Sequence, residues 1–219
     1  MKNNLTTRIL QCILIFAIFV FIGMLIFDFH SSKVMDNSLS EVVDELDKKI
    51  EENKKIVEIQ DESNNLENAE VIENKTGGEQ VITKALNMSV KIGNSTVFGK
   101  IKIDKIGIEY PIIDYVSEDS LWKSICKISH NSINGTGNLC LAGHNMRNLT
   151  MFGKLKNVEI GDTVEVTNIY GNTYVYTVYD TFYVDPSQVE VLKNTEEPTI
   201  TLITCNNTSS KRLIVKAKL

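Results

Sequence analysis

The chain has 219 residues, of which 42% are hydrophobic and 23% charged, and a formal net charge of -5. That composition supports one globular domain with appendages and excludes a wholly disordered chain. No basic run interleaved with aromatics is present, which excludes the ordinary nucleic-acid-binding classes. The negative charge is local. Thirteen acidic and five basic residues fall between positions 36 and 75, so the acidity belongs to that stretch and says little about a substrate.

Residues 1–8 carry Lys2 and Arg8, and residues 9–27 are apolar with Gln11 as the sole strongly polar member. Nineteen helical residues at ~1.5 Å each span ~28 Å, about one hydrocarbon core. The cations before the run and Asp28 and His30 after it predict a single-pass anchor with a cytoplasmic N-terminus and the rest of the chain outside. A cleaved signal peptide is the rival reading. The run is long for that, and no small-x-small site follows Phe27.

Residues 28–80 read as an acidic helical stalk and linker. Ser38-x-x-Glu41 is a capping box, and Leu39, Val43, Leu46, Ile50 and Val57 recur at helical steps, with Asn53 filling the gap. A single solvated stalk helix is the expectation, with a short dimeric coiled coil as its rival. Asn and Glu with Gly77-Gly78 mark 62–80 as a flexible linker, and Val81 to Val90 reads as one more helix.

Residues 81–219 form the folded domain. Phe98 to Ile103 and Ile106 to Ile113 alternate apolar and polar residues around Asp104-Lys105. Ser117 caps a helix carrying Leu121, Trp122 and Ile125 on one face. Asn138 to Ala142, Thr163 to Thr167, Tyr174 to Val184, Thr199 to Thr204 and Arg212 to Lys218 read as strands. A brief helix at Gln188 to Leu192 precedes the last two. Many short strands without a βαβ rhythm predict a mostly β domain, a closed antiparallel barrel of about eight strands.

Three strand ends carry chemistry. Cys205 closes Thr199 to Cys205, and Arg212 opens the next strand after only six intervening residues. As antiparallel neighbours, the two lie side by side, and a guanidinium beside a thiol favours the ionised sulfur. His144 follows Leu141-Ala-Gly at a third strand end. Each alone has a bland explanation: a core thiol, a loop imidazole, a solvated arginine. Their joint occurrence does not. Of the other cysteines, Cys12 lies in the apolar run, while Cys126 and Cys140 read as core residues that a disulfide could join outside the cell. No C-x-x-C is present to suggest a zinc or thioredoxin-type site.

Thr-Leu-Ile-Thr-Cys205, Ala-Gly-His144 and Lys-Arg212-Leu-Ile-Val resemble, in order, the three signature stretches of the sortase family. Gly99 to Ile113 resembles the opening hairpin of its barrel, with Asp104 where proline is frequent. The resemblance runs from about Val97 to Leu219 and fits a compact class A or class D form. It implies a cysteine transpeptidase that cleaves a Leu-Pro-x-Thr-Gly-like sorting signal through a thioester on Cys205. The protein is then passed to an amine, either of a lipid-linked peptidoglycan precursor or of a pilin lysine. His144 would be the proton carrier and Arg212 the oxyanion or carbonyl donor. Thr204 and Asn145 would support the site or the substrate, and the loop Thr181 to Glu197 would line its pocket. His130 is the rival base. No cofactor is implied. Calcium between loops is known in some members, and Glu159, Asp162 and Glu190 are the acids that could hold it here. The implied partners are secreted proteins bearing the signal, the amine acceptor and the membrane, with the enzyme a monomer or weak dimer. Two other functions compete. An L,D-transpeptidase-like wall enzyme would carry a Ser-His-Gly-Cys cluster, and here no His lies within three residues of a Cys. A membrane-tethered extracellular β-domain acting as a non-catalytic binding module would leave Cys205 as mere core.

Overall fold

The computed structural model describes residues 2–67, 90–129 and 133–219. Residues 62–67, expected to open the flexible linker, are helical; the rest of that linker, the expected helix Val81 to Val90 (all but Val90) and His130 lie outside the described residues.

Helix α1, Lys2–Glu67, runs unbroken through the apolar segment into the acidic one. Within it, one stretch is long and apolar enough to cross a membrane. The strands β2 (Ser95–Ile103), β3 (Ile108–Ile113), β4 (Ile125–Lys127), β5 (Asn138–Ala142), β6 (Thr163–Asn168), β7 (Thr173–Val184), β8 (Thr199–Cys205) and β9 (Arg212–Lys218) close into a barrel. Its order is β2-β3-β4-β5-β8-β9-β7-β6, sealed by pairing of β6 with β2. A two-residue β1 (Lys91–Ile92) pairs with the outer end of β2. The closed eight-strand barrel is as expected. Two of its neighbour pairs, β3 with β4 and β5 with β8, are parallel, because the chain crosses over before re-entering the sheet there.

Alternation explains the core. β2 buries every second residue almost completely, and Ile101, Ile103, Leu139, Leu141, Val164, Val166, Ile200, Leu202, Val215 and Ala217 fill the interior. A bulge between Val178 and Asp180 shifts the parity of β7, so that Phe182 and Val184 pair with Ile214 and Arg212 on the outer face. The capped helix after Ser117 is shorter than expected, Glu118–Leu121. Ile125 and Cys126 already belong to β4, and Trp122 is half exposed. Phe152 and Leu155 are buried as expected. A 3-10 turn, Asp104–Ile106, replaces the simple turn, so β3 begins at Ile108.

One face of the stalk helix between Leu39 and Ile50 is not solvated. Leu39, Val43, Leu46 and Ile50 are buried against the domain, Leu46 and Ile50 in a cluster with Val90 and Val97. Polar contacts fix the register: Tyr110 donates to Asp36 at 2.7 Å, and Lys100 sits 2.7 Å from Asp47 and 2.8 Å from Glu109. Helical spacing says that one face is buried but not against what. Leu46→Ala should cost about 2–5 kcal/mol of stability, since a fully packed leucine leaves a cavity. Urea unfolding of the full chain in detergent measures this. A loss under about 0.5 kcal/mol, the size of an ordinary surface change, would show that the helix does not pack there.

Candidate active site

The last hairpin delivers two side chains to one spot. Cys205 and Arg212 are direct cross-strand partners, so both project from the same face. The turn between them is tightly tied. Asn206 N–H donates to Lys211 O at 3.0 Å, Ser209 N–H to Asn206 O at 2.9 Å, and Lys211 N–H to the Asn206 side chain at 3.1 Å. The Arg212 Nη1 rests on Ser209 O and Lys211 O at 3.3 and 3.5 Å. No other guanidinium contact occurs among the described residues, so Nε and the second amino group remain able to donate.

On the other side of β8, β5 runs parallel, with Ala142 opposite Ile203. His144 follows two residues on, in a loop whose next residue, Asn145, reaches Cys205 O. Gly143 packs closely at the junction: a Cβ there would lie 2.5 Å from Ile125 Cδ1 and 2.8 Å from Phe152 Cδ2, so both side chains would have to shift. Thr204 Oγ1 donates to Gly143 O at 2.7 Å, and Gly143 N–H donates to Ile203 O at 3.1 Å. Asn145 Nδ2 donates to Cys205 O at 2.8 Å and to Asn207 Oδ1 at 3.2 Å. Thr204 and Asn145 therefore stitch the histidine-bearing strand end to the cysteine-bearing one.

Trp122 was not expected here. Its ring stacks on His144 with centroids 4.5 Å apart and planes tilted by 42°. A lone tryptophan after a short capped helix carries no sequence signal for this role. Burial lowers the His144 pKa below its ordinary value, which favours the neutral ring. Its Nε2 is buried without a hydrogen-bond partner among the described residues. Such an atom is normally satisfied, so its isolation suits a group kept for proton transfer. Since Trp122 is the only tryptophan, its emission should report the imidazole directly. Contact with an imidazolium quenches indole more than contact with a neutral ring. Titration should show a quenching step with a midpoint below 6.5, absent in His144→Gln; a midpoint above 6.5 would contradict the burial effect. By the same sign the unfolded chain takes this proton first. The residue's contribution to stability therefore falls as pH drops from about 6.5 through the lowered value.

All four cysteines are free, so the disulfide between Cys126 and Cys140 is not formed. Both are buried, and burial raises their thiols, Cys140 to about 11, which makes them poor nucleophiles. Cys205 alone combines partial exposure with a cationic cross-strand neighbour. Around it the outer barrel face offers Ala142 and Ile203, both half-buried. Beyond them, the loop after β7 folds over the sheet: Asn138 Nδ2 donates to Val191 O at 3.1 Å and Lys193 O at 2.9 Å. Ala142 and Ile203 thus lie between this loop and Cys205 on the outer face of the sheet. Of the acids considered for calcium, Glu159 pairs with Lys105 at 2.9 Å and Asp162 accepts from Glu159 N–H at 2.8 Å. No cluster of three metal-ligating residues occurs among the described residues.

A family model described as a sortase domain matches residues 101–219. Sortase A of Listeria monocytogenes is 29% identical over 141 residues, covering 63% of this chain and 63% of that protein. Sortase A of Bacillus anthracis is 30% identical over 134 residues, covering 60% of this chain and 63% of that protein. The chain thus spans somewhat less than two thirds of these relatives. Among solved structures, Listeria monocytogenes sortase A superposes with a TM-score of 0.54 at 31% identity, over 56% of this chain and 86% of that one. A Clostridium perfringens sortase D5 transpeptidase gives 0.55 at 30% identity, over 64% of this chain and 88% of that one.

Proposed function

Because the chain belongs to the sortase family, we propose that it is a membrane-anchored cysteine transpeptidase that cuts a Leu-Pro-x-Thr-Gly-like sorting signal and joins the freed carboxyl end to an amine. The observation that carries this reading is the pairing of Cys205 with Arg212, beside a histidine loop held to the same strand end by Asn145.

The Cys205 sulfur attacks the Thr–Gly carbonyl carbon, and electrons move onto its oxygen. The Arg212 guanidinium donates to that oxyanion. Collapse re-forms the carbonyl, breaks the C–N bond and leaves a thioester. The departing nitrogen takes its proton from His144, which thereby becomes neutral. The acceptor amine then attacks the thioester, loses a proton to His144 and expels the Cys205 thiolate. The lowered His144 pKa helps the second half, where the ring acts as a base. In the first half the imidazolium is the minority form. Every group needed is a side chain of this chain, and no step calls for a cofactor.

The surface of Ala142 and Ile203 beside the loop over residues 185–198 suits an extended apolar segment such as Leu-Pro. The acceptor is a peptidoglycan precursor or pilin amine. The apolar helix is compatible with a single-pass anchor. With Lys2 and Arg8 before it, the N-terminus is cytoplasmic and the catalytic domain extracellular. The domain limits of 9–27 for the anchor, 28–80 for stalk and linker and 81–219 for the catalytic part follow. A panel of fluorogenic sorting peptides, with and without an added amine, tests the reading. Cleavage should require the Thr-Gly-like bond and give an amine adduct. Failure of all peptides with a correctly folded enzyme would favour the non-catalytic binding module.

A further inference from the structure

The polar contacts along α1 set which end of the barrel faces the apolar span. Ser32 donates to Asn148 O at 3.1 Å, Asp36 accepts from Tyr110, and Asp47 accepts from Lys100. Ile169 packs farther along, in the cluster with Leu46 and Ile50. The loop after His144 is thus the end nearest the span, and the turn at Tyr170 is the far end. Ser32 lies five residues past Phe27, ~7–8 Å along a helix, which is the depth of one headgroup layer.

What the near end presents suits that layer. Leu149, at φ 66°, is 50% exposed at the loop tip. Arg147 and Lys156 line one cleft with Leu149, Lys154 lies close by in sequence, and none of the three makes an ion pair among the described residues. Of the acids at this end of the barrel, Glu159 pairs with Lys105 and Asp104 with Lys102, and Asp162 accepts from Glu159 N–H. Arg147, Leu149 and Lys156 line a cleft of about 320 Å³ whose other wall is Asn145 and Asn207, the pair bonded beside Cys205.

We propose that the loop carrying Arg147 and Leu149, with Lys154 and Lys156, docks on an anionic lipid headgroup surface and holds the rim of the active site against the bilayer. This rests on the reading that α1 spans a membrane. Long-range attraction comes from the three cations, and the leucine enters the interface beside them. The reacting thiol then works within reach of substrates that are themselves membrane-bound.

Single-tryptophan variants of the full chain test this in nanodiscs of zwitterionic or phosphatidylglycerol-containing lipid with brominated acyl chains. Trp122→Phe is the background, and Phe16→Trp, Leu149→Trp or Tyr170→Trp is added. Phe16→Trp should be quenched in both lipids, reporting the span. Leu149→Trp should be quenched in anionic discs well above Tyr170→Trp. Arg147→Glu with Lys156→Glu should return it to the Tyr170 level, since each cation favours the docked state about fivefold. Quenching of Phe16→Trp without any excess at Leu149→Trp would overturn the docking alone. No quenching at Phe16 would overturn the spanning reading and the docking with it. Hydrogen exchange of residues 145–157 in the unmutated chain is a second readout. Slower exchange in anionic than in zwitterionic discs is expected, and equal rates would overturn the proposal.

Discussion

Alanine at Cys205 is expected to leave no measurable cleavage of any sorting peptide, because no other group can form the thioester. The two remaining thiols of the barrel cannot substitute: Cys126 and Cys140 are fully buried and held protonated by that burial. His144→Ala should be nearly as damaging, since the leaving nitrogen then departs as an unprotonated amide anion. Circular dichroism should be unchanged in both variants. Cys205 is only partly buried, and the His144 ring packs on the half-exposed Trp122 rather than in the core. Cleavage by Cys205→Ala at more than a trace would remove the thioester from the account.

Arg212→Ala should lower kcat/KM by ~10²- to 10³-fold, or about 3–4 kcal/mol, as for loss of one oxyanion donor. Arg212→Lys discriminates between two roles. If the positive charge alone mattered, lysine would restore most of the activity. If the oxyanion is held by directed hydrogen bonds, lysine should fare almost as badly, because its ammonium lacks the planar fork. The second outcome is expected. The six-residue turn fixes the backbone of Arg212 opposite Cys205, and Nη1 already rests on turn carbonyls, so the fork is aimed rather than free. An Arg212→Ala enzyme within about threefold of the parent, far short of that loss, would remove Arg212 from the site.

The last hairpin was legible because its signals are local. Thr199 to Cys205 and Arg212 to Lys218 alternate β-branched and polar residues around a turn of Asn, Thr and Ser, and the observed strands keep those limits. The barrel followed from the number and spacing of such segments. β4 was not legible: three residues are too few for a period, and the cap at Ser117 drew the helical reading through Ile125. Trp122 reads from the sequence only as one of three apolar residues on a helix face with Leu121 and Ile125, yet its ring packs on His144. Only the three-dimensional path of the Gly143 strand end brings the two rings together. The stripe Leu39, Val43, Leu46 and Ile50 was visible as a stripe. Its partner was not, because a periodic face is equally suited to a second helix or to a sheet. Charge gave no help there either, since Asp36 and Asp47 look like ordinary stalk acids until Tyr110 and Lys100 meet them.

Intact-mass spectrometry of the enzyme, acid-quenched during turnover of a Leu-Pro-x-Thr-Gly peptide, bears directly on the thioester. The expected species is heavier by the fragment ending in threonine. It should map to Cys205, be released by hydroxylamine and be absent from Cys205→Ala. In His144→Ala it should build up far more slowly. Peptide cleavage with no adduct, or with the adduct on Cys126 or Cys140, would contradict a mechanism built on the strand-end pair of Cys205 and Arg212.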